Sequence, residues 1–196
     1  MSRTMRAFAG FVAGLGLFGL ATVSNAQESP VPKPTPEHER LVQDVGTWDA
    51  TIKSWMQGPG SEPSVSKGVE IAKLMPGGLW VLSEFHGKFG DMAFHGQGQT
   101  GYDPVKKKYI GTWVDSMSPT MMITEGDFDP QTNTFTMYSK GVNPAGKPYD
   151  AKMVNVHKDK DTRVFSMSMK SDETRGEYIK IMEISYVKRR DAGVKE

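Results

Sequence analysis

Residues 77–117 read GGLWVLSEFHGKFGDMAFHGQGQTGYDPVKKKYIGTWVDSM, and this run constrains the fold more than any other. Phe89 and Met92 flank Gly90-Asp91. A glycine at the first central position of a two-residue hairpin loop suits a primed turn, which needs positive φ there. That turn sets Phe89 against Met92, Phe85 against Gly96, His86 against His95 and Glu84 against Gln97. The next turn, opened by Asp103-Pro104, sets Tyr102 against Tyr109, Gly98 against Trp113 and Gly96 against Asp115. Side chains alternate across a strand. One face therefore collects Phe85, Phe89, Phe94, Tyr102, Tyr109 and Trp113 with glycines between them. The other carries Glu84, His86, His95, Gln97, Gln99 and Thr112, interleaved with Trp80, Leu82, Ile110 and Val114. Glycine across from tryptophan leaves room for the indole. The aromatic face is expected to be core, and a one-residue slip would turn it outward.

The same pattern extends along the chain. Gly46-Thr47-Trp48 opens a strand with Ala50, Ile52 and Met56 on the Trp48 face. Further strands are expected over 65–74, 121–128, 134–141, 149–157, 163–170 and 177–188. Tyr102-Asp103-Pro104 leading to Tyr109 is echoed by Phe128-Asp129-Pro130 leading to Phe135. Asp-Pro opens a turn because aspartate caps the backbone and proline presets φ. About ten strands joined by short turns predict a single antiparallel up-and-down β-barrel, which removes exposed edges. Short turns on both sides and no clean apolar band argue against a barrel that spans a membrane.

The start of the chain reads differently. Arg3 and Arg6 precede an apolar run from Ala7 to Val23, and Ser24-Asn25-Ala26 ends it. Basic start, apolar middle and small-x-small end predict a signal peptide over 1–26, cleaved after Ala26. A retained anchor is the alternative, but the run is short and rich in Gly and Ala. The chain would then be exported, periplasmic or secreted, with no stable membrane insertion after cleavage. There is no cysteine, so neither a disulfide nor a cysteine-linked lipid anchor is available. Loss of Arg3 and Arg6 takes the formal charge from +1 to −1, which gives no reason to expect nucleic acid as partner. Residues 27–36, QESPVPKPTP, read as an extended linker. Thr35-Pro36-Glu37 reads as the start of a short helix running to about Gln43. Leu41, Val42 and Val45 would give it an apolar side that plugs one end of the barrel. The barrel domain is expected over 37–190, with a disordered tail over 191–196.

A barrel of this size has room for a small ligand. Trp48, Phe85, Tyr102, Tyr109 and Trp113 would form the wall, with Asp115 as polar anchor on the aromatic face. Glu84, Glu125 and Glu183 stand within strands rather than at turns, and Glu84 and Glu125 join the candidate ligand contacts. Either could also work with Asp115 as an acid–base pair in an enzyme. A third possibility is an envelope module acting through protein contacts. His86 opposite His95, with Glu84 nearby, could share a metal, or be ordinary polarity on a solvated face. The thirteen methionines include Met117, Met121 and Met122 at one connection and Met167 and Met169 in one strand. Copper(I) could use such sulfurs, but cavity filling is their commoner role. No Gly-x-Ser-x-Gly elbow, His-Glu-x-x-His pair, phosphate loop or cysteine nucleophile occurs. No cofactor is expected.

Two resemblances arise from these residues. Val45-Gly46-Thr47-Trp48 is similar to the Gly-x-Trp opening of lipocalins and of nitrobindin-like haem barrels. The second implies a haem histidine near the chain's end. The last strand has Glu183 and Tyr186 instead, with His157 the nearest imidazole, which argues against haem. Phe94-His95-Gly96-Gln97-Gly98, Gly101-Tyr102-Asp103, Lys108-Tyr109-Ile110-Gly111-Thr112-Trp113-Val114-Asp115, Glu125-Gly126 and Met182-Glu183-Ile184 resemble the bacterial family called domain of unknown function 1579. That resemblance runs from about Glu37 to Arg189 and implies a calycin-like barrel. It brings no established activity, so no catalytic residue is carried over.

Overall fold

Ten antiparallel strands follow one another around a closed barrel in sequence order. They are β1 (Gly46–Ser54), β2 (Ser64–Leu74), β3 (Trp80–Phe89), β4 (Met92–Asp103), β5 (Lys108–Asp115), β6 (Met122–Asp129), β7 (Thr134–Val142), β8 (Pro148–His157), β9 (Thr162–Lys170) and β10 (Ile179–Lys188). The computed structural model describes residues 31–190 except 56, 57, 59, 90, 144 and 145. The leader, most of the linker, the positive φ expected of Gly90, the inward place expected for Met56 and the tail over 191–196 lie outside the described residues. Pairing of β1 with β10, Ala50 opposite Tyr186 and Ile52 opposite Ile184, closes the ring without an edge.

The register at the centre of the sheet is the one expected. Phe89 faces Met92, His86 faces His95 and Phe85 faces Gly96. Tyr102 faces Tyr109 and Gly98 faces Trp113. The aromatic face points inward: Phe85 and Tyr109 are buried, while His86 and His95 are exposed. A Cβ on Gly98 would come within 2.9 Å of the Trp113 ring, so the indole lies where only a glycine leaves space. β10 starts later than expected, because the turn after β9 runs on: Gly176 N–H donates to Ser171 O and Glu177 N–H to Thr174 O.

The N-terminal helix is shorter and tighter than expected. Helix α1 spans Pro36–Arg40, and a 3-10 turn, Leu41–Asp44, completes it. Thr35 N–H donates to His38 Nδ1 at 3.1 Å, and the Thr35 hydroxyl donates to the Glu37 carboxylate at 2.7 Å. The plug is real but differently faced. Leu41 is 1% exposed, among Ala72, Val81, Tyr109 and Phe135, whereas Val42 is 45% exposed. Adjacent positions on a helical turn diverge by a quarter to a third of a revolution, so with Leu41 inside Val42 is left outside.

Candidate functional site

The two ends of the barrel differ. At one end α1 closes the opening. Tyr109 Oη donates to Glu37 O at 3.0 Å, and the His38 ring stands edge-on to Tyr102 with centroids 5.7 Å apart. Beneath the 3-10 turn lies a buried polar network. His157 Nε2 donates to Asp44 Oδ1 at 2.8 Å, and Asn155 Nδ2 donates to the same oxygen at 3.3 Å. Arg163 donates from Nη2 to Glu70 Oε1 at 2.6 Å, with its Nε 3.7 Å from Asp44. The guanidinium lies 3.9 Å from the Tyr186 ring centroid and 4.8 Å from that of Trp48. Trp48 Nε1 donates to Asp44 O at 2.8 Å, so the indole is satisfied though fully buried.

These contacts set the electrostatics. Burial raises the Asp44 carboxyl, but the His157 hydrogen bond and the Arg163 charge outweigh it and hold the group below the usual carboxylate range. Burial drives Tyr109 up to about 12 and Tyr186 well above its ordinary value, with Glu70 adding to the latter. A raised tyrosine contributes stability that is complete below about pH 10 and lost as pH rises through the folded value. The barrel should therefore lose stability between about pH 10 and 12, and Tyr109→Phe should lose less over that window. Urea unfolding at stepped pH checks this; equal losses in parent and variant would contradict it.

The other end is lined by softer groups. Met137 faces Met153, Met153 faces Met167 and Met167 faces Met182 across four successive strands. The row continues on β1 and β2, where Ser54 and Ser64 meet through their hydroxyls at 2.7 Å. Met137, Met167 and Met182 share their strand faces with buried Phe135, Arg163 and Ile184, yet are themselves only half-buried. Phe94, Trp113, Met122 and Phe165 share this condition. Phe94, Trp113, Phe165 and Met182 pack against the core around Trp48, Phe85 and Ile184, and Met137 against that around Leu41, Tyr109 and Phe135, while each keeps part of its surface accessible. Thioethers make this part of the interior polarisable and adaptable.

The expected site residues divide accordingly. Trp48, Tyr102 and Tyr109 face inward but are packed beneath the helix, and Phe85 is buried midway. Trp113 and Asp115 stand towards the end away from the helix. Trp113 Nε1 donates to Asp115 Oδ2 at 3.1 Å, and Met117 N–H donates to Asp115 Oδ1 at 2.9 Å. Asp115 thus holds both the indole and the β5–β6 connection. Glu84 and Glu125 are corrections: both lie on the outer face. Glu84 meets the two histidines, and Glu125 takes an ion pair from Lys106 at 3.2 Å. Their odd–even position in β3 and β6 opposes that of the inward residues, so neither forms an acid–base pair with Asp115. Glu183 is likewise outside, paired with Lys180. Met117 and Met121 are exposed.

Sequence reasoning missed the Asp44–Glu70–Asn155–His157–Arg163 network and the methionine row. The one available signal was that Glu70 falls opposite Trp48, an inward position.

Geometry defines the class: a closed, ten-stranded up-and-down barrel, plugged at one end by a short helix. The chain belongs to the family described as protein of unknown function DUF1579, whose model matches residues 33–188. Among solved structures it is similar to the S-type phycobiliprotein lyase CPES from Guillardia theta, at TM-score 0.52 and 10% identity, covering 81% of this chain and 99% of that one. That likeness concerns the fold alone. A protein of unknown function from the DUF3598 family of Nostoc punctiforme matches at TM-score 0.24 and 7% identity, covering 80% of this chain and 100% of that one. No curated protein matches the sequence.

Proposed function

We propose that this protein is an exported binding barrel that admits a small, partly apolar ligand through the end opposite α1. The observation that carries the reading is the row Met137–Met153–Met167–Met182 on inward-facing strand positions, of which Met137, Met167 and Met182 are half-buried and Met153 buried. Flexible thioethers suit a ligand of variable shape, and Asp115 at the rim suits a head group that donates a hydrogen bond. Export rests on the basic, apolar and small-x-small pattern of the first 26 residues. The outer wall carries ion pairs such as Lys108–Asp127 and Arg189–Asp49, which a lipid-facing wall would disfavour. Among the described residues no helix is long and apolar enough to cross a membrane.

Titration of the purified full chain with Nile red should give saturable fluorescence enhancement. Met167→Lys should weaken it by about tenfold or more, because a charge would enter an apolar wall. Unchanged binding in that variant would refute the methionine row as the site. Expression of the full chain in a Gram-negative host should yield a product beginning at Gln27. A cytoplasmic product that keeps Met1–Ala26 would refute export.

A further inference from the structure

The outer face of the β3–β4 hairpin holds a separate constellation. Glu84 and His86 are two residues apart on β3, and His95 lies directly opposite His86 on β4. The Glu84 Oε1, His86 Nε2 and His95 Nε2 atoms stand 3.1 Å, 3.2 Å and 3.1 Å from one another. The imidazole centroids are 4.0 Å apart, with planes inclined at 41°. Protons alone serve such a triangle poorly. Each Nε2 carries at most one in-plane hydrogen, aimed at one partner. A cation seated above the three atoms satisfies all of them at once.

We infer that Glu84, His86 and His95 form a binding site for a divalent transition-metal ion of the zinc class. Donors sharing one such ion at about 2.0–2.2 Å in tetrahedral or octahedral geometry lie about 2.8–3.6 Å apart, and all three separations fall in that window. Two imidazoles and a carboxylate select zinc, cobalt, nickel or iron(II) over calcium and magnesium, which prefer oxygen alone. Among the described residues no lysine or arginine pairs with Glu84, so no protein cation competes for its oxygen. The ladder neighbours on β2 are Val69 opposite His86 and Ile71 opposite Glu84, which offer no rival donor. All three side chains are about half exposed, at 42–50%, so the remaining coordination positions are open to water or an exogenous ligand. This site is on the opposite side of the barrel wall from the methionine row and is independent of it.

The test is a cobalt(II) titration of the purified full chain, followed by visible d–d absorption, and a zinc competition assay with a chromophoric chelator. One equivalent should bind. His86→Ala and His95→Ala should each weaken binding by about 100-fold or more, since even partners behind the ligands are worth 10–100-fold. Glu84→Gln should weaken it about tenfold. Far-ultraviolet circular dichroism should be unchanged in all three, because the side chains are on the solvent face. The other two histidines, His38 and His157, are buried and serve as internal controls. No binding at millimolar metal overturns the assignment. So does affinity retained in the His86→Ala/His95→Ala double variant, or an unaltered affinity in Glu84→Gln.

Discussion

Replacement of Arg163 by alanine should cost the barrel about 3–5 kcal/mol, read as a lowered urea midpoint at neutral pH. The guanidinium is 4% exposed and sits between two carboxylates, 2.6 Å from Glu70 and 3.7 Å from Asp44. Removing it leaves both charges in a poorly solvated place without their counter-ion. Loss of its contacts with the Trp48 and Tyr186 rings adds a smaller amount, about 0.5–2 kcal/mol. The electrostatic part therefore dominates, and three observations separate it from simple cavity formation. Arg163→Met, which fills most of the volume, should recover little. Arg163→Met/Glu70→Leu should recover much of the loss, because a buried pair replaced by apolar groups is often neutral. The third is the pH dependence. In the parent the depressed Asp44 carboxyl contributes stability present above about pH 3.9 and lost as pH falls through its lower folded value. Without Arg163 a cause of that depression is gone, so the deficit should narrow as the pH falls below about 4. A loss below about 1 kcal/mol, or one independent of pH, would contradict the account.

Gly126→Ala should also be poorly tolerated, and for a steric reason. Gly126 lies inward on β6, opposite Tyr109 on one side and Met137 on the other. A Cβ there would collide with the carbonyl oxygen of Thr136 and come within 2.7 Å of the Met137 Cα. Those are backbone atoms of the neighbouring strand. Relief requires β6 and β7 to part, which breaks ladder hydrogen bonds. Gly96→Ala gives the comparison. Its Cβ would strike the Trp113 indole, a half-buried side chain rather than backbone. We expect about 1–3 kcal/mol for Gly96→Ala, the ordinary cost of overpacking, and more than about 3 kcal/mol for Gly126→Ala, or failure to accumulate as folded protein. Thermal unfolding followed by circular dichroism, with soluble yield, decides between them. Equal losses would mean that β7 gives way as easily as an indole does.

Strand order, register and the inward aromatic face were all legible in the sequence, and so was closure. Each follows from local rules: period-two alternation, Asp-Pro turns, and glycines spaced against Trp113 and Phe85. A meander of hairpins also puts chain neighbours side by side, so the topology needed no long-range information. The helix start at Thr35-Pro36 was legible for the same reason, being a matter of capping and fixed φ. Its face was not. Whether Leu41 or Val42 enters the barrel depends on the plug's fit over Tyr109 and Phe135, which come from β5 and β7.

Candidate side chains were read less well than the frame. Glu84 and Glu125 looked like interior carboxylates only when position within a strand was considered without its parity. Met137, Met153, Met167 and Met182 are spread over four strands and gain meaning only when their rungs align.

By itself the sequence determined an all-β meander, its pairing, which face is apolar and the family to which the chain belongs. Tertiary structure alone decided that one end is sealed over a buried Arg163–Glu70–Asp44 network and that Met137, Met153, Met167 and Met182 align on one rung across four strands. The reason is physical. Alternation and turn chemistry act between residues near in the chain or directly across a hairpin. The network joins Asp44 to His157 and Glu70 to Arg163, and those distances exist only once the ring has closed.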